Sequence, residues 1–171
     1  MTDEPGSEGG ALQIGWQDQI TIVVSDGQEM VRTGLCLLLA REPDLIVVAD
    51  VRDAGAAAGA IDAHDPDVLV LDLGLRGPAS LTVVPELREA HPGCAIVVLA
   101  MPGDPELARE TLGLGASAFV LKSAPGDELI GAIRLAAAGR TYLSPELGAA
   151  GDRRRPASWP WRAGRARAQP P

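Results

Sequence analysis

The sequence predicts an α/β fold, a five-stranded parallel sheet with helices on both faces. Five short apolar runs rich in β-branched residues alternate with five stretches of helical spacing. The apolar runs show almost no alternation of polar and apolar residues, as strands buried on both faces require. The carboxyl ends of the first, third, fourth and fifth runs are Ser25-Asp26-Gly27, Asp72-Leu73-Gly74, Ala100-Met101 and Lys122-Ser123. Sheets of this kind place their functional loops there.

ITIVV, residues 20 to 24, is the first strand, and SDGQ after it supplies turn chemistry. EMVRTGLCLLLAREP is the first helix: Met30, Val31, Leu35, Leu38 and Leu39 fall at helical spacing, and Pro43 stops it. The alternation recurs as LIVVAD (45–50) with the Ala-rich AGAAAGAIDAH, and as DVLVLD (67–72) with a loop and LTVVPELREAH. AIVVLA (95–100) with DPELARETLGLG and AFVLK (118–122) with PGDELIGAIRLAAAG complete the series.

At 171 residues the chain has room for one domain of roughly 120 to 150 residues plus loose ends. Aromatic residues are scarce, so the core is aliphatic. Residues 1 to 147 hold 22 acids and 9 bases, whereas residues 148 to 171 hold one acid and six Arg. An acidic body argues against broad binding of a phosphate backbone by the folded part. Cys36 and Cys94 have no CxxC spacing, and no apolar stretch approaches the roughly 20 residues that cross a bilayer. MTDEPGSEGG lacks the basic start and apolar stretch of a signal peptide. A reducing cytoplasm, with no membrane contact, fits these features. Residues 1–18 read as a flexible acidic arm, 19–147 as the folded domain and 148–171 as a disordered basic tail rich in Pro and Arg.

Lys122 is the only lysine; the other fourteen basic residues are arginine. Lysine offers a compact charge on a flexible stem where arginine offers a planar fork. The first strand ends in Asp26, the third in Asp72 and the fifth in Lys122, so two carboxylates and one ammonium converge on one mouth of the sheet. Close carboxylates need a counter-charge, and Mg²⁺ with oxygen ligands or the lysine supplies one. A carboxylate so placed can accept a phosphoryl group while metal and lysine neutralise the developing charge. Any one of these acids alone could as well be capping a turn. Three charged residues at one edge, a singular lysine among them, favour a site.

The chain resembles the receiver domain of bacterial two-component response regulators, particularly the LuxR-type group. The resemblance covers residues 20 to 147: QEMVRTGLCLLLAREPDLIVVAD resembles the family's first helix and second strand, DPDVLVLDLGLRG its phospho-acceptor strand and loop. GASAFVLKSA resembles its fifth strand and AAGRTYLSPEL its closing segment. The resemblance implies a flavodoxin-like fold in which Asp72 accepts a phosphoryl group from a sensor histidine kinase and Lys122 contacts the phosphoryl oxygens. It implies a Mg²⁺ site at Asp26, Asp72 and the backbone of Gly74, and switch positions at Ala100 and Phe119. The function implied is phosphorelay signalling in transcription control, by altered protein contacts rather than turnover, with homodimerisation through the receiver as an option.

Departures from the family pattern qualify this. Gly27 stands where the family usually has a second, metal-ligating acid, so Mg²⁺ binding is expected to be weak. Ala100 replaces a hydroxyl residue, and Leu75-Arg76 replaces Met-Pro in the acceptor loop. The alternative is a phosphorylation-independent pseudo-receiver that binds a small ligand or protein at the same mouth. A phosphatase using Asp72 is disfavoured, because Gly74 stands where such enzymes usually place a second Asp. LuxR-type regulators continue into a helix-turn-helix domain of roughly 60 residues. Here GAAGDRRRPASWPWRAGRARAQPP follows, with no DNA-binding domain recognisable, and a truncated or out-of-frame end is favoured over a nucleic-acid patch around Trp159 and Trp161. His64 and His91 read as surface residues and Cys36 as a small core residue.

Overall fold

Successive side chains of a strand point to opposite faces, so an unbroken apolar run needs cover on both. The computed structural model, which describes residues 19–74, 81–101 and 104–148, supplies that cover. The arm of residues 1–18, the tail from residue 149 onward and the pair Leu75-Arg76 lie outside the described residues.

The elements are β1 (Ile20–Ser25), α1 (Glu29–Leu39), β2 (Leu45–Val51), α2 (Ala54–His64), β3 (Val68–Asp72) and α3 (Val83–Ala90). They continue with β4 (Ala95–Ala100), α4 (Pro105–Gly113), β5 (Ala118–Leu121), α5 (Gly126–Ala137), β6 (Tyr142–Leu143) and α6 (Pro145–Gly148). Strand order is β2-β1-β3-β4-β5-β6, with every neighbouring pair parallel. All five expected strands are present. The sheet has six strands rather than five, because two residues after α5 pair with Ala118 and Phe119. A two-residue strand carries no periodicity to read.

Ile22, Val24, Val68, Val70, Val97 and Val120 pack under α1 and α5 against Leu39, Leu129 and Ile133. The alternate residues Val23, Leu69, Leu71, Ile96, Val98 and Phe119 pack on the other face against Ile61 of α2, Val84 and Leu87 of α3, and Ala108 of α4. Local chemistry sets the helix starts. Asp53 caps α2 by accepting from the Ala56 N–H, and Asp104 caps α4 by accepting from the Glu106 N–H, with Pro105 in the first turn. Arg134 of α5 reaches the loop before β2, bonding Asp44 and Glu42 at 2.7 to 2.8 Å. That partner holds the Asp44 carboxyl below its ordinary range.

Three expectations for individual side chains need correction. Met30 is 88% exposed; it shares a helix face with exposed Leu37 rather than with the buried stripe. Arg32, in register with Leu35, Cys36 and Leu39, is the buried residue of that turn. Cys36 is half-buried rather than a core residue. His64 is exposed, but His91 keeps only 14% of its side-chain exposure, with Nδ1 at 3.6 Å from Asp62.

Leu69→Ala, which opens a void in the central strand β3, should cost about 2 to 5 kcal/mol. Met30→Ala should stay within about 0.5 kcal/mol of wild type. Urea midpoints at unchanged slope measure both, and a Met30 cost near that of Leu69 would return Met30 to the core.

Candidate functional site

In this strand order the chain leaves β1 toward β2 on one side and returns to β3 on the other. Such a reversal opens a crevice at the carboxyl ends of the two strands. Ser25 is in register with Leu71, which sets Asp26 and Asp72 side by side one step further on. Asp26, Asp72 and Lys122 each follow by two residues a valine, Val24, Val70 or Val120, that packs under α1 and α5. Period two therefore gives all three side chains the same hand.

Lys122 lies just beyond β5, not within it, and its N–H donates to the Ala100 carbonyl at 2.9 Å. Its stem crosses β4 to bring Nζ 2.8 Å from Asp26 Oδ2 and 3.0 Å from Asp72 Oδ1. The side chains are 13%, 0% and 9% exposed respectively. Burial alone would lower the Lys122 pKa. The hydrogen bonds to Asp26 and Asp72, with their charges, outweigh it and hold the ammonium above the ordinary lysine range.

Each acid is also held by its own loop. Asp26 Oδ1 accepts from the Gln28 N–H at 2.8 Å, at the start of α1, and Asp72 Oδ1 accepts from the Gly74 N–H at 3.0 Å. Gly74 has φ +65°, a left-handed conformation glycine adopts without strain, so the residue permits a tight turn after β3. Gly27 leaves open the space of a side chain: a Cβ there would meet the Arg52 carbonyl at 3.5 Å, an ordinary contact.

Ala100 and Phe119 lie on the opposite face, both buried in the cluster under α2, α3 and α4. The site thus gathers Asp26, Asp72, Lys122 and Gly74, and does not gather Ala100 and Phe119. Two further residues went unforeseen. Arg32 donates from Nη1 to the Asp26 carbonyl at 2.9 Å and from Nε to Asp50 Oδ2 at 2.7 Å, tying the β1 end to the β2 end. An arginine at the spacing of an apolar stripe was the available signal. Ser144 accepts from the Leu121 N–H, next to Lys122, and nothing in YLSPEL distinguishes it from a turn serine.

Among the described residues no group of three or more His, Cys, Asp or Glu side chains is placed to hold a metal ion. The site offers two carboxylates and a glycine backbone. That donor set fits Mg²⁺, which keeps several waters and takes one or two carboxylates, and Asp72 Oδ2 accepts no hydrogen bond among the described residues. Among those residues no helix is long and apolar enough to cross a membrane.

Residues 22–134 match the response regulator receiver domain family. The chain belongs to that family. The receiver is 35% identical over 127 residues to oxygen regulatory protein NreC of Staphylococcus haemolyticus, covering 74% of this chain and 58% of that protein. It therefore spans a little over half the length of the curated relatives it matches. A LuxR-family two-component response regulator from an Aurantimonas species superposes with TM-score 0.71 at 32% identity, over 77% of this chain and 94% of that one. The receiver domain of the response regulator NarL from Mycobacterium tuberculosis superposes with TM-score 0.66 at 28% identity, over 72% and 99%. Receiver domains generally bind Mg²⁺ at the phosphorylation site. Response regulators are phosphorylated by sensor histidine kinases and often dimerise.

The Lys122 pairing makes a prediction with a definite sign. Its folded pKa lies above the unfolded value of about 10.4, so its stabilisation is fully present below that pH and is lost as pH rises through the folded value. With one lysine in the chain, the Cε resonance of lysine-labelled protein reports this residue alone. Its midpoint should lie above the ordinary 10.5. A midpoint at or below that value would mean the ammonium does not bridge the carboxylates in solution.

Proposed function

We propose that the domain is a phospho-accepting receiver, cytoplasmic and without turnover of its own, in which Asp72 takes a phosphoryl group from a sensor histidine kinase and the altered surface changes protein contacts in transcription control. The observation that carries this reading is the lone lysine held at hydrogen-bond distance from both carboxylates of the β1–β3 crevice. In the transfer an Asp72 oxygen forms a P–O bond as the P–N bond to the donor imidazole breaks, and the released imidazole nitrogen is left to take up a proton. Asp26, fixed by Gln28 and Lys122, lies beside the acceptor. Lys122 moves its hydrogen bond from Asp72 to the phosphoryl oxygens, which carry more charge than the carboxylate did. Asp26, Asp72 and the Gly74 carbonyl are the groups that would hold Mg²⁺, which supplies positive charge to the transferring phosphoryl group. The folded unit is residues 19–147, with α6 reaching Gly148.

The pseudo-receiver reading rests on Gly27 and Ala100. With Gly27 one hard ligand is missing, and with Ala100 the residue that crosses toward α4 is a methyl group. One experiment separates the readings: the amide spectrum with and without beryllofluoride and Mg²⁺. A receiver shifts at the strand ends, Lys122→Met abolishes the shift while the fold survives, and Lys122→Arg fails too because a fork does not fit between two carboxylates 2.8 and 3.0 Å from one nitrogen. A silent wild type at saturating mimic would give the site to the pseudo-receiver.

Gly27→Asp adds a carboxylate where the backbone has room for it. Titration calorimetry should show tighter Mg²⁺ binding, on the order of tenfold, and lower stability without metal from a third like charge. Equal Mg²⁺ affinity in the two proteins would show that the absent acid does not limit binding.

A further inference from the structure

Lys122 works at the end of a long stem, so the place of its backbone decides where its ammonium arrives. On the β4 side the Lys122 N–H is bonded to Ala100. On the other side the ladder is short: β6 pairs only Ala118 with Tyr142 and Phe119 with Leu143, and the Ser144 N–H donates to the Phe119 carbonyl at 3.0 Å. Pro145 then turns the chain into α6, and no strand carbonyl faces the N–H of Leu121. The Ser144 hydroxyl takes that place and accepts from Leu121 at 3.1 Å.

Ser144 is 1% exposed. A hydroxyl carries one proton, and this one is donated to Glu128 Oε1 in the first turn of α5. Glu128 therefore fixes the rotor, leaving the lone pairs toward Leu121. On either side of Ser144, Leu143 and Leu147 pack into the cluster that holds Phe119 and Ala100. A segment anchored on the α2–α4 side of the sheet thus holds the residue just before the lysine that works on the α1–α5 side.

We propose that Ser144, oriented by Glu128, is a positioning residue for Lys122, and that its hydroxyl links the phosphorylation site to the segment of residues 142 to 147. The consequence for phosphoryl binding rests on the receiver reading above; the positioning of the resting ammonium does not. A serine that merely satisfied a buried N–H at a sheet edge would affect stability and leave the lysine untouched.

The single lysine makes the two separable. In lysine-labelled protein, Ser144→Ala should shift the Lys122 Cε resonance and weaken the response to beryllofluoride with Mg²⁺ roughly tenfold or more, about 1.4 kcal/mol or more of positioning. Ser144→Thr keeps the hydroxyl and should restore wild-type behaviour. Glu128→Gln keeps an acceptor and should do the same, whereas Glu128→Leu should reproduce Ser144→Ala and serves if the latter does not fold. Arg134→Ala, which removes the ion pairs to Glu42 and Asp44 at the far end of α5, controls for loss of stability alone. Ser144→Ala or Glu128→Leu with reduced stability but an unmoved lysine resonance would overturn the proposal. A wild type that ignores beryllofluoride would instead sink phosphoryl binding and leave the resting lysine resonance to decide the positioning.

Discussion

Two carboxylates forced together at the ends of β1 and β3 set the constraint to which the rest of the site answers. Parallel register places Asp26 and Asp72 side by side, and burial of their side chains to 0% and 9% exposure removes the water that would screen them. Each acid has an oxygen within 3.0 Å of the same lysine nitrogen, so the two like charges face each other at short range. Their repulsion strains the sheet mouth unless a positive charge stands between the acids. The ammonium of Lys122 does so from two strands away. Its reach requires a slim stem that ends in a compact head with freely turning donors, where arginine carries a wider fork whose donors are fixed in one plane. That need explains why a chain that uses arginine at every other basic position has a lysine here.

Much of the architecture was legible because its cause is local. VLVLD and AIVVLA present apolar side chains to both faces, so cover on both sides follows from the run itself. AGAAAGAIDAH begins and ends where its Asp53 cap and left-handed Asp65 place it. The acids and the lysine of the site were legible for a related reason: strand ends are easy to locate, and a charge there stands out from an apolar run. Arg32 and Ser144 were not. Their roles depend on which strand end or N–H lies opposite, and that is decided by pairing across 18 and 23 residues of chain. Met30 misled because helical spacing alone does not say which of two adjacent stripes meets the sheet. The two-residue β6 was invisible because its pairing, not its sequence, defines it.

The sheet also divides the molecule. Asp26, Asp72 and Lys122 share the hand of the valines under α1 and α5, while Ala100 and Phe119 belong to the cluster under α2, α3 and α4. Any effect of phosphorylation on the second face has to pass around the strand ends, because no side chain spans the sheet itself. In the family a hydroxyl at the end of the fourth strand provides one passage. Ala100 closes it to hydrogen bonding, and among the described residues the Lys122 backbone, bonded to Ala100 on one side and preceded by the Ser144-bonded Leu121 on the other, is a continuous polar connection.

The loss at position 27 acts on the same balance of charge. With a second acid after β1, one lysine would face three carboxylates, and a divalent ion would be needed to hold the mouth together. With Gly27 it faces two, and it bonds both. The resting site is then closer to neutral and more dependent on its lysine than on metal. On the receiver reading, the absence of a carboxylate at Gly27 would weaken Mg²⁺ binding and leave the ammonium to balance two acids without a metal. The cost falls at the moment of transfer, when the incoming phosphoryl group brings more negative charge than a single ammonium offsets, so the feature that steadies the unmodified domain is also the one that makes its modified form depend most on whatever cation the two remaining acids can hold.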